Sequence, residues 1–388
     1  MQRCLDSVKI NLRGERMIFS HHFLSVRHQS QGNLEQILER ARGFEKQARA
    51  GSDHPINSIL ATLFYEPSTR TRLSFETAMH RLGGRVIGFA DARTSSVAKG
   101  ESLADTFRML SHYADIAVMR HPREGSARAA AAYATIPVIN GGDGGHEHPT
   151  QTMLDLYTIQ SERGHIAGLN VILCGDLLYG RTAHSLAWAL LLMGANIICV
   201  SPHGLEMPSH VMHLLHERFG KFPAVEYDLT AAIADADVLY VTRIQKERFL
   251  SDEEYFAAKG SYTIDTELMS HARSNLVLMH PLPRVDEITV EVDQDPRAAY
   301  FRQAFYGIPV RMALLDMLLK GEIKLPTEVG YVIREERCPN EMCVSRSELY
   351  LPPEFEPLAE KPDTYRCIYC DHEVEEKREE WEVVEEKA

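Results

Sequence analysis

Long apolar runs are missing from this chain. The longest mostly apolar stretch, residues 187–200, contains Gly194 and Asn196 and is too short to span a bilayer. Residues 1–20 carry basic side chains but no apolar segment of signal length, so a cytoplasmic protein is expected. Basic charge is also in deficit: the net charge of −13 argues against nonspecific nucleic-acid binding. Nearly half of that excess sits in residues 371–388, with nine acidic and three basic residues. Cysteine is sparse and unevenly placed. Of seven, Cys4, Cys174 and Cys199 are scattered, whereas Cys338, Cys343, Cys367 and Cys370 crowd one short segment. Without a signal peptide, such clustering points to a metal rather than to disulfides. The 388 residues suffice for two cored domains and a small third one.

One stretch organises the rest: Phe64-Tyr65-Glu66-Pro67-Ser68-Thr69-Arg70-Thr71-Arg72-Leu73-Ser74-Phe75-Glu76. An apolar run over 59–65 ends at Glu66-Pro67, where proline stops a strand and presets a helix turn. Leu73, Phe75, Ala78, Met79 and Leu82 then recur at helical spacing, with Ser68 or Thr69 as cap and Gly83-Gly84 as stop. Hydroxyls, two arginines and free backbone N–H groups thus converge on the positive end of a helix, which favours a phosphate or carboxylate. The bland alternative is a capped surface helix with solvated arginines.

Residues 1–20 lack periodicity and read as a loose terminus. An amphipathic helix is expected over 33–50, then a strand over 57–65, the helix over 72–82 and a strand over 85–90. After the small-residue loop 95–101 come a helix through Leu103, Phe107, Leu110 and Tyr113, a strand over 116–119, a helix over 127–133 and a strand over 137–140. The 116–119 strand ends in Arg120-His121-Pro122, and strand C-termini are where open α/β sheets bind ligands. Gly141 to Gly145 reads as a flexible loop that feeds His146-Glu147-His148-Pro149-Thr150-Gln151, where a long helix starts at the proline. His146 and His148 could ligate a metal, but no cysteine or carboxylate set accompanies them. A neutral histidine at a helix N-terminus, donating one proton, is the better functional reading.

The alternation repeats with strands over 169–174, 196–200, 238–241 and 275–279 and helices over 184–193 and 308–319. Gly175 to Thr182 is one residue from a nucleotide P-loop, with arginine where the lysine belongs, which argues against nucleoside triphosphate binding. The expected fold is therefore α/β, with two doubly wound parallel-sheet domains and a small C-terminal zinc-binding β knuckle. Cys338-x4-Cys343 and Cys367-x2-Cys370, 23 residues apart, suit a closed tetrahedral four-thiolate site, whose zinc would be structural. The acidic tail reads as a solvated helix or disorder.

Three stretches together resemble the carbamoyltransferase family: Ser68-Thr69-Arg70-Thr71-Arg72, His148-Pro149-Thr150-Gln151 and His280-Pro281-Leu282-Pro283-Arg284. The last is similar to the branch that carbamoylates aspartate, since ornithine enzymes typically carry His-Cys-Leu-Pro there. Cys338-Pro339-Asn340 with Cys343, and Cys367-Ile368-Tyr369-Cys370, resemble the zinc domain of the regulatory chain of the bacterial enzyme. Only about 18 residues separate Leu319 from Cys338, so the nucleotide-binding domain that normally precedes that zinc domain has no room.

The resemblance implies a chemistry and a set of roles. Carbamoyl phosphate and L-aspartate would be the substrates, with no cofactor in the reaction. Ser68, Thr69, Arg70 and Thr71 would hold the phosphate, with Arg120 and Gln151 completing the pocket. Thr71, Arg120 and His148 would polarise the carbonyl, and the backbone carbonyls of Pro281 and Leu282 would accept from the carbamoyl nitrogen. Arg181, and Arg243 with Gln245, would take the aspartate carboxylates. Ser95 and Lys99 would reach into a neighbouring subunit's site, making the active unit a trimer or larger. The implied organisation is a loose terminus (1–20), a carbamoyl phosphate domain (21–152), an aspartate domain (153–304), a helix returning to the first domain (305–322), a zinc domain (331–375) and an acidic tail (376–388). Another amine acceptor is the nearest rival. A separate reading treats the zinc segment as an interaction module whose partner is protein, another copy or chain of the assembly.

Overall fold

The structure is a computed structural model and describes residues 11–17, 21–52, 55–91, 93, 96–244, 262–323, 328–334, 336–358, 361 and 363–375. After strand β1 (Asn11–Met17) and helix α1 (Gln31–Ala50), the first half alternates β2 (Ile59–Phe64), α2 (Thr69–Arg81), β3 (Arg85–Phe89), α3 (Leu103–Leu110), β4 (Ile116–His121), α4 (Ser126–Ala131), β5 (Val138–Asp143) and α5 (Pro149–Arg163). The second half runs β6 (Asn170–Cys174), α6 (Arg181–Leu192), β7 (Asn196–Val200), α7 (Ser209–Phe219), β8 (Ala224–Glu226), α8 (Leu229–Ile233), β9 (Val238–Val241), α9 (Thr266–His271), β10 (Val277–Met279) and α10 (Tyr300–Leu319). Strands β11 (Glu328–Ile333), β12 (Glu354–Pro357), β13 (Thr364–Cys367) and β14 (Glu373–Glu375) follow.

Both α/β sheets are parallel and doubly wound. The first has the order β3-β2-β4-β5 and the second β10-β9-β6-β7-β8. Chain direction across the sheet reverses between β2 and β4 in one and between β6 and β9 in the other. Those are the topological switch points, where loops leave a crevice beyond the strand C-termini. Helix α10 returns from the second half and packs on α1, α2 and α5, so one apolar cluster spans both domains. Among the described residues no helix is long and apolar enough to cross a membrane.

The structure corrects four expectations. Residues 11–17 are not loose: β1 pairs antiparallel with β11 at the edge of the sheet β1-β11-β12-β13-β14. Gly141, Gly142 and Asp143 are not a flexible loop but the buried end of β5, pinned where Gly142 N–H donates to Asn140 Oδ1 (2.8 Å) and Asn140 Nδ2 to Asp143 Oδ1 (2.9 Å). Helix α2 starts three residues before Arg72, which puts Thr69, Arg70 and Thr71 in its first turn with Ser68 as N-cap. Helix α10 begins at Tyr300 rather than near Ile308, continuing through Pro309.

The C-terminal knuckle does not stand apart from the first domain. Val344, Leu351, Phe355 and Tyr369 share one buried cluster with Phe107, Leu110, Ala127 and Ala130 on the outer face of the first sheet. Glu124 joins it through the backbone, Glu124 N–H to Met342 O and Val344 N–H to Glu124 O, both 2.9 Å. The approach is close enough that Gly125 (φ +79°) has no space for a side chain: a Cβ would fall 2.5 Å from the Tyr369 carbonyl.

Candidate active site

At the first switch point β2 leads into the α2 N-terminus and Arg120 is the penultimate residue of β4. Ser68 makes no capping bond with its side chain. Thr69 and Arg70 are exposed in the first turn of α2, whereas Thr71 is buried with its Oγ1 3.5 Å from His148 Nε2. His148 caps α5, whose first residue is Pro149. Its ring is buried, and among the described residues Nδ1 has no hydrogen-bond partner. Burial, followed by the charges of Arg120, Arg181 and Arg311, pushes the imidazole pKa well below 6.5, so the ring is neutral at physiological pH. Arg120 donates from Nε to Glu66 Oε2 at 3.1 Å, and burial lowers its pKa while Glu66 raises it.

Gly142 is the point around which the cations gather. With φ at +119°, a Cβ there would lie 3.0 Å from Arg120 Nη1, 3.4 Å from Arg181 Nη2 and 3.4 Å from His148 Cδ2. Arg181 is the first residue of α6, so the second domain supplies a guanidinium to the first domain's crevice. From the other side Arg70 Nη2 donates to Leu282 O at 2.5 Å. Leu282 takes φ +56°, and its N–H donates to His280 Nδ1 (2.8 Å) while His280 Nε2 pairs with Glu287 Oε1 (2.8 Å). That second bond assigns the proton to Nε2. Gln151 donates to Asp155 Oδ1 (2.9 Å), which also receives Gln303 Nε2 (2.7 Å), while Tyr240 OH reaches Asp155 Oδ2 (2.9 Å). Burial pushes the Asp155 carboxyl up to about 7 against these three donors. Gln303 Oε1 accepts from His280 N–H at 2.9 Å, so one buried network runs from Gln151 to the 280–284 loop.

The structure therefore brings Arg70, Thr71, Arg120, His148, Arg181 and Leu282 to one crevice, with half-buried Gln151 and Pro281 beside it. Arg243 lies two residues beyond β9, at the second switch point. Lys99 is exposed at the end of a 3₁₀ turn, Ser96–Lys99. Ser95 and Gln245 lie outside the described residues. Sequence reasoning missed Glu66, Asp155, Gln303 and Glu287, which hold other site groups. The available signal was Glu66 directly before the proline of the organising stretch.

The four cysteines also converge. Their sulfurs lie within 4.8 Å of one another and all four residues are buried. Cys338–Cys370 and Cys343–Cys367 are 3.6 and 3.9 Å apart. A tetrahedral zinc with bonds of about 2.3 Å needs sulfurs about 3.8 Å apart, so the set fits the ion. Asn340 Nδ2 approaches Cys370 Sγ at 3.5 Å, the outer hydrogen bond such thiolates receive.

Two doubly wound sheets that bring cationic switch points to one crevice define a protein that binds small anionic substrates, with a four-cysteine knuckle attached. Residues 21–161 match the carbamoyl-P binding domain of aspartate/ornithine carbamoyltransferases and residues 167–318 their Asp/Orn binding domain. Residues 333–380 match the metal binding domain of the aspartate carbamoyltransferase regulatory chain. The chain belongs to the aspartate/ornithine carbamoyltransferase family. The aspartate carbamoyltransferase catalytic subunit of Methanopyrus kandleri is 55% identical over 300 residues, 77% of this chain and 97% of that protein. The catalytic subunit of M. jannaschii aspartate transcarbamoylase superposes with a TM-score of 0.73 at 50% identity, over 77% of this chain and 98% of that one. The Trypanosoma cruzi aspartate transcarbamoylase in complex with carbamoyl phosphate and aspartate does so with a TM-score of 0.71 at 39% identity, over 77% and 95%.

Proposed function

We propose that this chain transfers the carbamoyl group of carbamoyl phosphate to the amine of L-aspartate, giving N-carbamoyl-L-aspartate and phosphate, a step of pyrimidine biosynthesis in the cytoplasm. The observation that carries the assignment of roles is the meeting of Arg120, Arg181 and neutral His148 around Gly142, beside the α2 N-terminus. The dianionic phosphate sits on Ser68, Thr69, Arg70 and Thr71, with Arg120 and Gln151. Arg181, and Arg243 with Gln245, take the two aspartate carboxylates and place the amine against the carbonyl carbon. The neutral amine attacks, and the oxyanion that forms is stabilised by Thr71, Arg120 and His148. The carbamoyl nitrogen donates to the carbonyls of Pro281 and Leu282. Collapse breaks the C–O bond to phosphate, and the departing phosphate, which takes that electron pair, accepts the proton that the amine nitrogen loses. Zinc stays in the knuckle and outside this chemistry.

Residues 21–152 form the carbamoyl phosphate half and 153–304 the aspartate half, joined by the returning helix. Purified chain is expected to make carbamoyl aspartate and phosphate from the two substrates, and turnover with ornithine but not aspartate would reverse the choice of acceptor.

Ser95 and the exposed Lys99 complete the site of a neighbouring subunit, so the active unit is a trimer or larger. Mixing Lys99→Ala with Arg70→Ala chains is expected to restore activity in hybrid trimers, because some interfaces then carry one intact site. Hybrids no more active than their parents would show that each subunit is self-contained.

A further inference from the structure

The zinc knuckle reaches the transfer site through a charged contact. Asp371 directly follows Cys370 and receives a fork from Arg128, at 2.5 Å on Oδ1 and 2.9 Å on Oδ2. Its Oδ2 also lies 3.0 Å from His146 Nε2, and the other ring nitrogen of His146 lies 3.0 Å from Asp143 Oδ2. Asp143 in turn receives the N–H groups of Gly125 (2.8 Å) and Glu147 (3.2 Å) and the amide of Asn140. It ends β5 one residue beyond Gly142, and His148 follows His146 by two. Three side chains therefore connect the metal-bearing knuckle to the segment that carries the proposed carbonyl-polarising histidine.

His146, Glu147 and Asp371 have donor atoms close enough to hold a cation, but positive charge is already supplied there. Besides Arg128, Arg27 places Nε 3.5 Å from Glu147 and Nη1 3.8 Å from Asp371, and Ser25 Oγ donates to Glu147 at 2.6 Å. With His146 bonded to two carboxylates, three cations face three anions, which makes this an ion-pair cluster rather than a second metal site.

Such a cluster is needed by the segment it holds. Residues 141–148 include Gly141, Gly142, Gly144 and Gly145, whose backbone has little stiffness of its own. Side-chain bonds must supply the order, and a displacement of about 1 Å at a positioned group can cost about 10²-fold in rate. We infer that Asp371 is a positioning residue for carbamoyl transfer, acting through His146 and Asp143 to fix Gly142 and His148. The inference rests on the roles proposed above for His148 and Arg120.

Asp371→Asn removes the negative charge and one acceptor oxygen, so its amide N–H faces a donor of either Arg128 or His146. The zinc-loaded, folded variant is expected to lose about tenfold in kcat and to bind carbamoyl phosphate about tenfold more weakly by calorimetry. Lys361→Ala removes a different ion pair of the knuckle, to Glu217 and Glu373, and should leave both quantities within about twofold. If the three groups act as one chain, Asp371→Asn combined with His146→Gln should be no worse than the poorer single variant. Zinc-loaded Asp371→Asn with wild-type kcat and affinity would overturn the inference, as would losses that multiply in the double variant. Should Asp371→Asn not fold, zinc-loaded His146→Gln decides by the same two measurements. A wild-type chain inactive with aspartate would instead refute the reaction, while the calorimetric shift would still judge Asp371.

Discussion

Arg70→Ala is expected to lower turnover by about 10³-fold while leaving the melting temperature within a degree or two of wild type. The two halves of that expectation have separate causes. Arg70 lies in the first turn of α2 and is exposed, so its truncation opens no cavity in the core below, where Phe75, Ala78 and Met79 pack. Its hydrogen bond to Leu282 O links groups that both belong to the proposed carbamoyl phosphate pocket. Burial and then the nearby charge of Arg120 lower its pKa, so a bound anion would relieve repulsion between the two guanidiniums. The phosphate carries its negative charge away as the C–O bond breaks, so a charge aimed at it acts in the transition state more than in the bound ground state. Steady-state kinetics with carbamoyl phosphate at saturation should show kcat itself falling. A rate near wild type would remove Arg70 from the phosphate site.

Much of this site could be read from the sequence because its parts are local. A proline after an apolar run, a hydroxyl before a helical stripe and arginines at strand ends each occupy a few consecutive residues. The strands Asn196–Val200 and Val238–Val241 match the expected limits for the same reason, being apolar runs, the first of them after Asn196. The four cysteines are recognisable by spacing alone. What the sequence conceals is long-range. Nothing in residues 11–17 names β11 as a partner more than 300 positions away. The glycines of 141–145 imply freedom, and the bonds from Asn140 and Asp143 that remove it depend on where those side chains fold. Gly307 and Pro309 interrupt the apolar stripe of α10 and hide its first two turns, although Tyr300 and Gln303 are buried there. Arg128 in an alanine-rich helix was a readable warning of a buried charge, but its partner Asp371 lies in another domain of the sequence.

Zinc removal is expected to affect more of the molecule than the knuckle. The segment has too little core to stay folded by itself: β12, β13 and β14 are three or four residues long, and the four buried cysteines occupy its centre. Metal binding to such a segment is therefore folding energy, and Cys343→Ser or a strong chelator should unfold it. Its inner side is also the cover of the first sheet, since Val344, Leu351, Phe355 and Tyr369 pack on α3 and α4. Losing that cover exposes Phe107, Leu110 and Ala130, an apolar patch that promotes association. With several kcal/mol at stake and about 2–4 °C per kcal/mol for a domain of this size, the melting temperature should fall by about 10 °C. Metal analysis should find about one zinc per chain before treatment and none after. A zinc-free chain that melts as before would refute the structural role. Catalysis supplies the second arm. If Asp371 holds the His148 segment, chelated protein should show the kinetic defect of Asp371→Asn at temperatures where the rest of the fold persists. Loss of stability with full activity would confine zinc to the knuckle and separate its two proposed consequences.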